Sequence, residues 1–258
     1  MKGLPWCSDW PQLGDTLGPI EPGSFTIIAA RPSVGKTIVT LQQQAFLNDK
    51  GSRVILVSRE LTPERLVRRH IVREGASMKN LKVGELTEKD REAKDRYFER
   101  QKSWPVLYDH ASRTVPEIAK VASDYQAECV IVDYLQRLTY NVDSEYAGLT
   151  RLVNELQDFT LSTGIPVICL SQLSRPPKGQ EHRPPTISDL RGSGAIEERA
   201  SNIVLLHRDW TTRKQGSQDV DSIRLDKGRF IVAKNADGEA DLHIPMLLQG
   251  CRMQIVER

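Results

Sequence analysis

The sequence predicts an α/β fold, a doubly wound and mainly parallel sheet with C-terminal β-hairpins. Three observations predict it. Five apolar runs are continuous rather than alternating, the pattern of strands covered on both faces. Helix-period segments lie between them, and strand–helix alternation defines a doubly wound sheet. The first run also enters a small-residue loop ending in Gly35-Lys36-Thr37, with a helical pattern directly after it.

The strands are expected at 25–30, 54–58, 129–133, 166–171 and 202–207, and 104–109 is a candidate edge strand. The first helix is expected over 36–49, with apolar groups at Ile38, Leu41 and Ala45 and Gly51 as its stop. Further helices are expected over 62–74, 87–102, 115–126 and 146–163. Thr87 and Asp90 have the spacing of a capping pair. Residues 173–186 form an irregular basic stretch and 209–221 a polar loop. Residues 223–256 read as hairpins turning at Asn235-Ala236-Asp237-Gly238. There is no repeat and no low-complexity tract.

The 258 residues suit one large α/β domain or two small ones, and the pattern favours a single domain over 1–258 with a short lead-in at 1–20. A net charge of +2 is not the signature of an obligate nucleic-acid binder, so any such contact must come from local placement of basic groups. Cys7, Cys129, Cys169 and Cys251 form no Cys-x-x-Cys pair, and two of them sit in strand-like runs; a reducing cytoplasm fits. The N-terminus has no apolar signal region and no apolar run approaches about 18 residues, so secretion and membrane spanning are not expected.

Residues 25–37 carry the chemistry. A strand, a small-residue loop and a helix starting at Gly35-Lys36-Thr37 make a phosphate-binding P-loop, with Ala30 where the usual pattern has glycine. The loop Ala30-Arg31-Pro32-Ser33-Val34-Gly35 would wrap phosphates with backbone N–H groups, aided by the helix N-terminus. Lys36 would reach the outer phosphates, and the Thr37 hydroxyl would hold Mg2+. The other strands should deliver their partners at the same edge. They end in Ser58-Arg59-Glu60, Asp133-Tyr134, Ser171-Gln172 and His207-Arg208-Asp209. Asp133 fits the carboxylate that holds Mg2+ through water. Glu60 is the best candidate for the general base that orients the attacking water, ahead of a place at the entry to the helix near Thr62. Gln172 fits a γ-phosphate sensor. Arg69 fits either a phosphate contact or a solvated helix face.

With these residues in place, the chain resembles the C-terminal, RecA-like ATPase domain of DnaB-family replicative helicases of bacteria and phages. Six blocks match in order, from about residue 9 to the end: 29–37; 58–60; Val132-Asp133-Tyr134-Leu135-Gln136; Ser171-Gln172-Leu173-Ser174-Arg175; Ser188-Asp189-Leu190-Arg191-Gly192-Ser193-Gly194-Ala195-Ile196-Glu197; and His207-Arg208-Asp209. The resemblance implies a RecA-like P-loop NTPase fold and a hexameric ring that hydrolyses Mg-ATP between subunits and draws single-stranded DNA through its centre. The resemblance adds a phage or mobile-element origin, 5′-to-3′ polarity and partners such as a loader, a primase or a collar-like protein, and the cytoplasm of a bacterial host or phage-infected cell agrees with the cysteine usage. Arg191, Gly192, Ser193 and Gly194 match the loop that faces DNA, and a glycine-rich basic loop allows close backbone approach to phosphate.

Two departures qualify the match. The family's Lys-x-Arg pair, which reaches a neighbour's ATP, is here Lys234-Asn235-Ala236. Lys234 is kept as a catalytic candidate, and the missing arginine implies either slow hydrolysis or its replacement by Arg229 or another group. The family's N-terminal collar and linker helix have no counterpart, which implies assembly dependent on DNA, nucleotide or a partner. These departures motivate an alternative: a regulatory or assembly ATPase that binds nucleotide and a replication or recombination partner without unwinding. A recombinase or clock-type ATPase shares the fold but not the 188–197 block. A small-molecule kinase would need a substrate lid that the sequence does not show.

Overall fold

The computed structural model describes residues 2–138, 144–180, 182–190, 193–209 and 225–258. The chain runs α1 (Pro11–Leu17), β1 (Phe25–Ala30), α2 (Lys36–Asp49), β2 (Val54–Ser58), α3 (Pro63–Arg73), α4 (Met78–Val83), α5 (Glu88–Gln101), β3 (Val106–Asp109) and α6 (Val115–Tyr125). It continues through β4 (Cys129–Asp133), α7 (Glu145–Thr163), β5 (Val167–Gln172), α8 (Ser193–Arg199), β6 (Asn202–Arg208), β7 (Leu225–Asn235), β8 (Leu242–Gln249) and β9 (Gln254–Glu257). Most of the polar loop read at 209–221 lies outside the described residues.

All nine strands join one sheet in the order β3-β2-β4-β5-β1-β6-β7-β8-β9. Strands β1 to β6 pair in parallel, and β7, β8 and β9 extend the sheet antiparallel. β1 is flanked by β5 and β6, so the loop leaving it opens at the middle of the sheet. The continuous apolar runs arise because both faces are covered. Ile28, Leu56, Ile131 and Leu206 pack with α1, α2 and α3, while Ile27, Val57, Val130 and Leu205 pack with α6, α7 and α8. Each such fully buried side chain contributes about 1.5–3 kcal/mol of transfer free energy.

Helix starts follow their caps. Thr87 with Asp90 and Thr114 with Glu117 both form reciprocal capping boxes, satisfying N–H groups that a helix leaves open. Helix α2 departs from a simple amphipathic reading. Gln42, Gln43 and Gln44 are all buried. Gln42 exchanges two hydrogen bonds with the Ile255 backbone, at 2.7 and 2.9 Å. Gln43 accepts from Cys7 N–H at 2.8 Å and donates to Pro5 O at 3.0 Å. The helix is thus wrapped by the first residues of the chain and by its last strand.

The segment read as a lead-in is built into the core. Trp6, Trp10, Leu13 and Leu17 are buried, Leu4 bridges Ile20, and Trp10 Nε1 donates to Ile255 O at 2.9 Å. Helices α1, α4 and α8 were not expected from the sequence; at seven, six and seven residues they are too short for a periodic pattern. The turn after β7 falls at 236–238 as expected, but Leu242 pairs back only to Val232, leaving a wider connection than a two-residue hairpin. Residues 233–235 extend past that pairing as strand, with Lys234 opposite Ile203 and Asn235 opposite Asn202 on β6. No described helix is long and apolar enough to cross a membrane.

Candidate active site

β1 ends at Ala30, and the chain turns through Arg31–Gly35 into α2. Ser33 and Gly35 both take left-handed backbone, φ 65 and φ 116. Gly35 is the N-cap of α2; at that φ a side chain would be strained, so glycine is required. Ala30 and Val34 are buried in the core and offer the loop only their backbone. The rest of the loop, Arg31, Pro32, Ser33, Gly35, Lys36 and Thr37, lines a cleft of about 470 Å³ together with Glu60, Arg69 and Gln172. The sheet brings these groups together because β1, β2 and β5 all end at this edge.

Asp133 forms the floor beneath Thr37. It is buried, and its Oδ2 accepts from Thr37 Oγ1 at 3.2 Å. Burial pushes its carboxyl up to about 6, reinforced by Glu60 and opposed by Lys36, Thr37 and Arg69. Lys36 Nζ donates to Ser171 O at 3.3 Å and sits 4.9 Å from the Tyr134 ring centroid. Burial lowers the Lys36 and Arg69 pKa values, while Asp133 and Glu60 raise them. Arg69 is therefore drawn into the cleft, not left on a solvated helix face. Glu60 lies at the exposed rim.

These residues fit a divalent cation bound through water. Among the described residues, Asp133 Oδ1 is buried without a hydrogen-bond partner, beside the Thr37 hydroxyl, and such an orphaned oxygen is costly unless something satisfies it. Hard oxygen ligands with retained waters are the preference of Mg2+.

Several contributors had no clear sequence signal. Gln136 Nε2 donates to Ser171 Oγ at 2.9 Å, and its Oε1 accepts from Gln172 N–H at 3.2 Å, clamping the β4 and β5 exits together. Gln136 stands inside a quoted block but only the fold shows this role. Arg208, Asp226, Leu248, Gly250 and Met253 form the far wall of the cleft. Arg208 pairs with Asp226 at 2.6 Å. Apart from Arg208 these come from the antiparallel extension, which the sequence placed nowhere near the loop.

Two groups are not brought to the cleft. Lys234 stands opposite Ile203, at the entry end of β6, and donates to Glu197 O at 2.6 Å at the end of α8. Arg229 pairs with Asp209 at 2.9 Å, next to buried His207, across the sheet from Arg208. Arg191, Gly192 and the Ser193 side chain lie outside the described residues; Gly194 sits exposed at the start of α8. Asp189, just before them, is buried and accepts from both Nη atoms of Arg183, at 2.8 and 2.6 Å. Arg31 Nη2 lies 3.7 Å from the same carboxylate.

A parallel sheet with a P-loop leaving its central strand, an acidic residue ending a nearby strand and a wall of antiparallel strands define a RecA-like P-loop NTPase domain. Comparison with known proteins narrows the class. The family model described as DnaB-like helicase C terminal domain matches residues 7–250. The chain belongs to that family. It is 30% identical over 237 residues to a replicative DNA helicase DnaB of Mycoplasma genitalium, covering 84% of this chain and 49% of the relative. It is 30% identical over 264 residues to the Geobacillus stearothermophilus replicative DNA helicase DnaB, covering 92% of this chain and 53% of the relative. The chain thus spans about half the length of these relatives. Among solved structures, one described as an ATPase domain aligns with a TM-score of 0.87 at 26% identity, covering 100% of this chain and 92% of that one. A DnaB-like replicative helicase, in a structure describing its interactions with primase, aligns at 0.86 with 25% identity, covering 99% of this chain and 62% of the other.

Proposed function

We propose that this chain is the motor of a DNA helicase: it binds Mg-ATP in the Lys36 cleft, hydrolyses it and moves on single-stranded DNA as part of a hexameric ring in the cytoplasm. The observation that carries the reading is the separation of two groups. Lys36, Thr37, Asp133, Glu60, Arg69 and Gln172 gather at the exit edge of the sheet, while Lys234 sits at the opposite edge of β6. A complete catalytic set then needs a second copy to bring its Lys234 edge to this cleft.

The roles follow from position. The loop N–H groups and the α2 N-terminus cradle the phosphates, and Lys36 sets charge against the outer ones. Thr37 and Asp133 hold Mg2+, which would neutralise phosphate charge when bound. Glu60, at the rim, orients and deprotonates the attacking water. Gln172, held by Gln136, reports the γ-phosphate, and Arg69 adds positive charge beside it. The segment 191–194 meets the DNA backbone. The relatives' names support replication as the setting, and the neighbour described with its interactions with primase supports a primase as a partner.

One observation favours a second reading. The 236–238 turn presents Ala236, whose N–H donates to Ser201 O at 3.0 Å, where the family places a cation. A regulatory ATPase that binds nucleotide and a partner without unwinding would tolerate this. Light scattering separates the two. A mass near six subunits with a non-hydrolysable ATP analogue, Mg2+ and single-stranded DNA supports the motor, and a monomer under every condition supports the regulatory reading.

A further inference from the structure

We propose that Asp189 is a positioning residue that couples nucleotide to DNA by competing with nucleotide phosphate for the Arg31 guanidinium. The proposal rests on the reading of the Lys36 cleft as an ATP site and of 191–194 as a DNA contact.

The geometry is that of one cation with two anionic claims. Arg31 lines the cleft. Its Nη1 donates to Arg183 O at 2.8 Å, and its Nη2 stands 3.7 Å from Asp189 Oδ2. Arg183 grips the same carboxylate with two short, charge-assisted bonds of 2.8 and 2.6 Å. Thr186 N–H adds a bond of 3.1 Å. Asp189 is thus firmly held by Arg183 and only loosely paired with Arg31, and that pair is largely withdrawn from water, with side chains 11% and 8% exposed.

Asp189 is also a junction. Its carbonyl accepts from Ser174 N–H at 2.8 Å, and Leu190 bridges Leu173, directly after Gln172. Along the chain it stands two residues before Arg191. A phosphate entering the cleft draws Arg31 away from Asp189 and leaves that carboxylate to Arg183 and the Thr186 N–H. The balance of charge at the root of the DNA segment then depends on nucleotide. Coupling of this kind is reciprocal: DNA on the segment must change nucleotide affinity by the same factor.

The test measures the dissociation constant of a non-hydrolysable ATP analogue with Mg2+, with and without saturating oligo-dT, in the wild type, Asp189→Asn and Arg183→Gln. The wild type should show a coupling factor in the range of about 5 to 150. Asp189→Asn removes that carboxylate's charge from beside Arg31, so DNA-free affinity should tighten about threefold or more while the coupling factor falls to about one. Arg183→Gln leaves Arg31 as the guanidinium beside Asp189 among the described residues, so affinity should weaken about threefold and the coupling factor should rise. Two lesions that merely loosen a loop would shift both variants the same way. Shifts of the same sign, or an unchanged factor in Asp189→Asn, overturn the proposal. Should Asp189→Asn fail to fold, a coupling factor in Arg183→Gln that is unchanged or reduced overturns it alone. A wild type that binds both ligands with a factor of one rejects the coupling only, whereas a wild type that binds neither rejects the motor reading itself.

Discussion

Thr37 Oγ1 donates to Asp133 Oδ2 at 3.2 Å while Asp133 Oδ1, also buried, has no hydrogen-bond partner among the described residues. One oxygen of the carboxylate is oriented and the other is left over, which is what a water-bridged cation would use. Asp133→Asn should lower Mg2+-dependent nucleotide affinity by about tenfold or more, because a hard cation loses its anionic anchor. Since the carboxyl is pushed up to about 6, it must lose a proton to bind. Mg2+ affinity should therefore be full above that pH and fall about tenfold per unit below it. Calorimetric titration between pH 5 and 8 reads both effects, and a pH-independent affinity would remove Asp133 from the metal site.

On the proposed motor reading, Ala236 stands where a neighbour's cation would be supplied. An arginine finger typically contributes about 10³- to 10⁵-fold in rate. Ala236→Arg should raise DNA-stimulated ATP turnover by about tenfold or more, even with imperfect placement. If turnover does not change while nucleotide still binds, the regulatory reading gains.

His70 gives the fold an acid weakness. Buried among Tyr97 and Trp104 and bonded to Gln44 Oε1 at 3.0 Å, its pKa is pushed down to about 3 by burial, then by Arg73 and Arg100. The unfolded chain takes up this proton near pH 6.5 and the folded one does not. Stability is thus undiminished above that pH and declines as pH falls towards 3, by up to about 1.4 kcal/mol per unit. His70→Gln should flatten this part of a urea-melt pH profile, whatever its cost at neutral pH.

Gly228 holds β7 against β6. A Cβ there would lie 2.4 Å from His207 O and 3.0 Å from Met246 Cε. Gly228→Ala should destabilise the protein by about 1–3 kcal/mol, because the strand must shift away from a backbone oxygen. An unchanged melting temperature would show that β7 is free to move.

Much of this architecture was legible in the sequence. The strands at 25–30, 54–58 and 129–133 fall where the apolar runs begin and end, since a strand buried on both faces must be apolar throughout. The Thr87–Asp90 capping box was equally readable, being a local event. Gly14 interrupts the short α1, whose stability comes from packing Trp10 and Leu13 into the core and not from periodicity. At the cleft, Lys36 and Thr37 were readable from the P-loop pattern, and Asp133 and Gln172 as strand exits. The wall of Asp226, Leu248 and Met253 was not, because it depends on β7 and β8 folding back beside β6. The grip of Arg183 on Asp189 was also hidden, as it closes a basic stretch that shows only its charge in the sequence.

The central claim is that the Lys36 cleft is the seat of DNA-stimulated ATP hydrolysis, and the most direct measurement compares ATP turnover of the wild type and Lys36→Ala with and without single-stranded DNA. DNA should raise turnover in the wild type, and turnover should fall about 100-fold or more in the variant, as expected when a preorganised charge on the transferring phosphoryl is removed. A Lys36→Ala protein that keeps DNA-stimulated hydrolysis would contradict that claim.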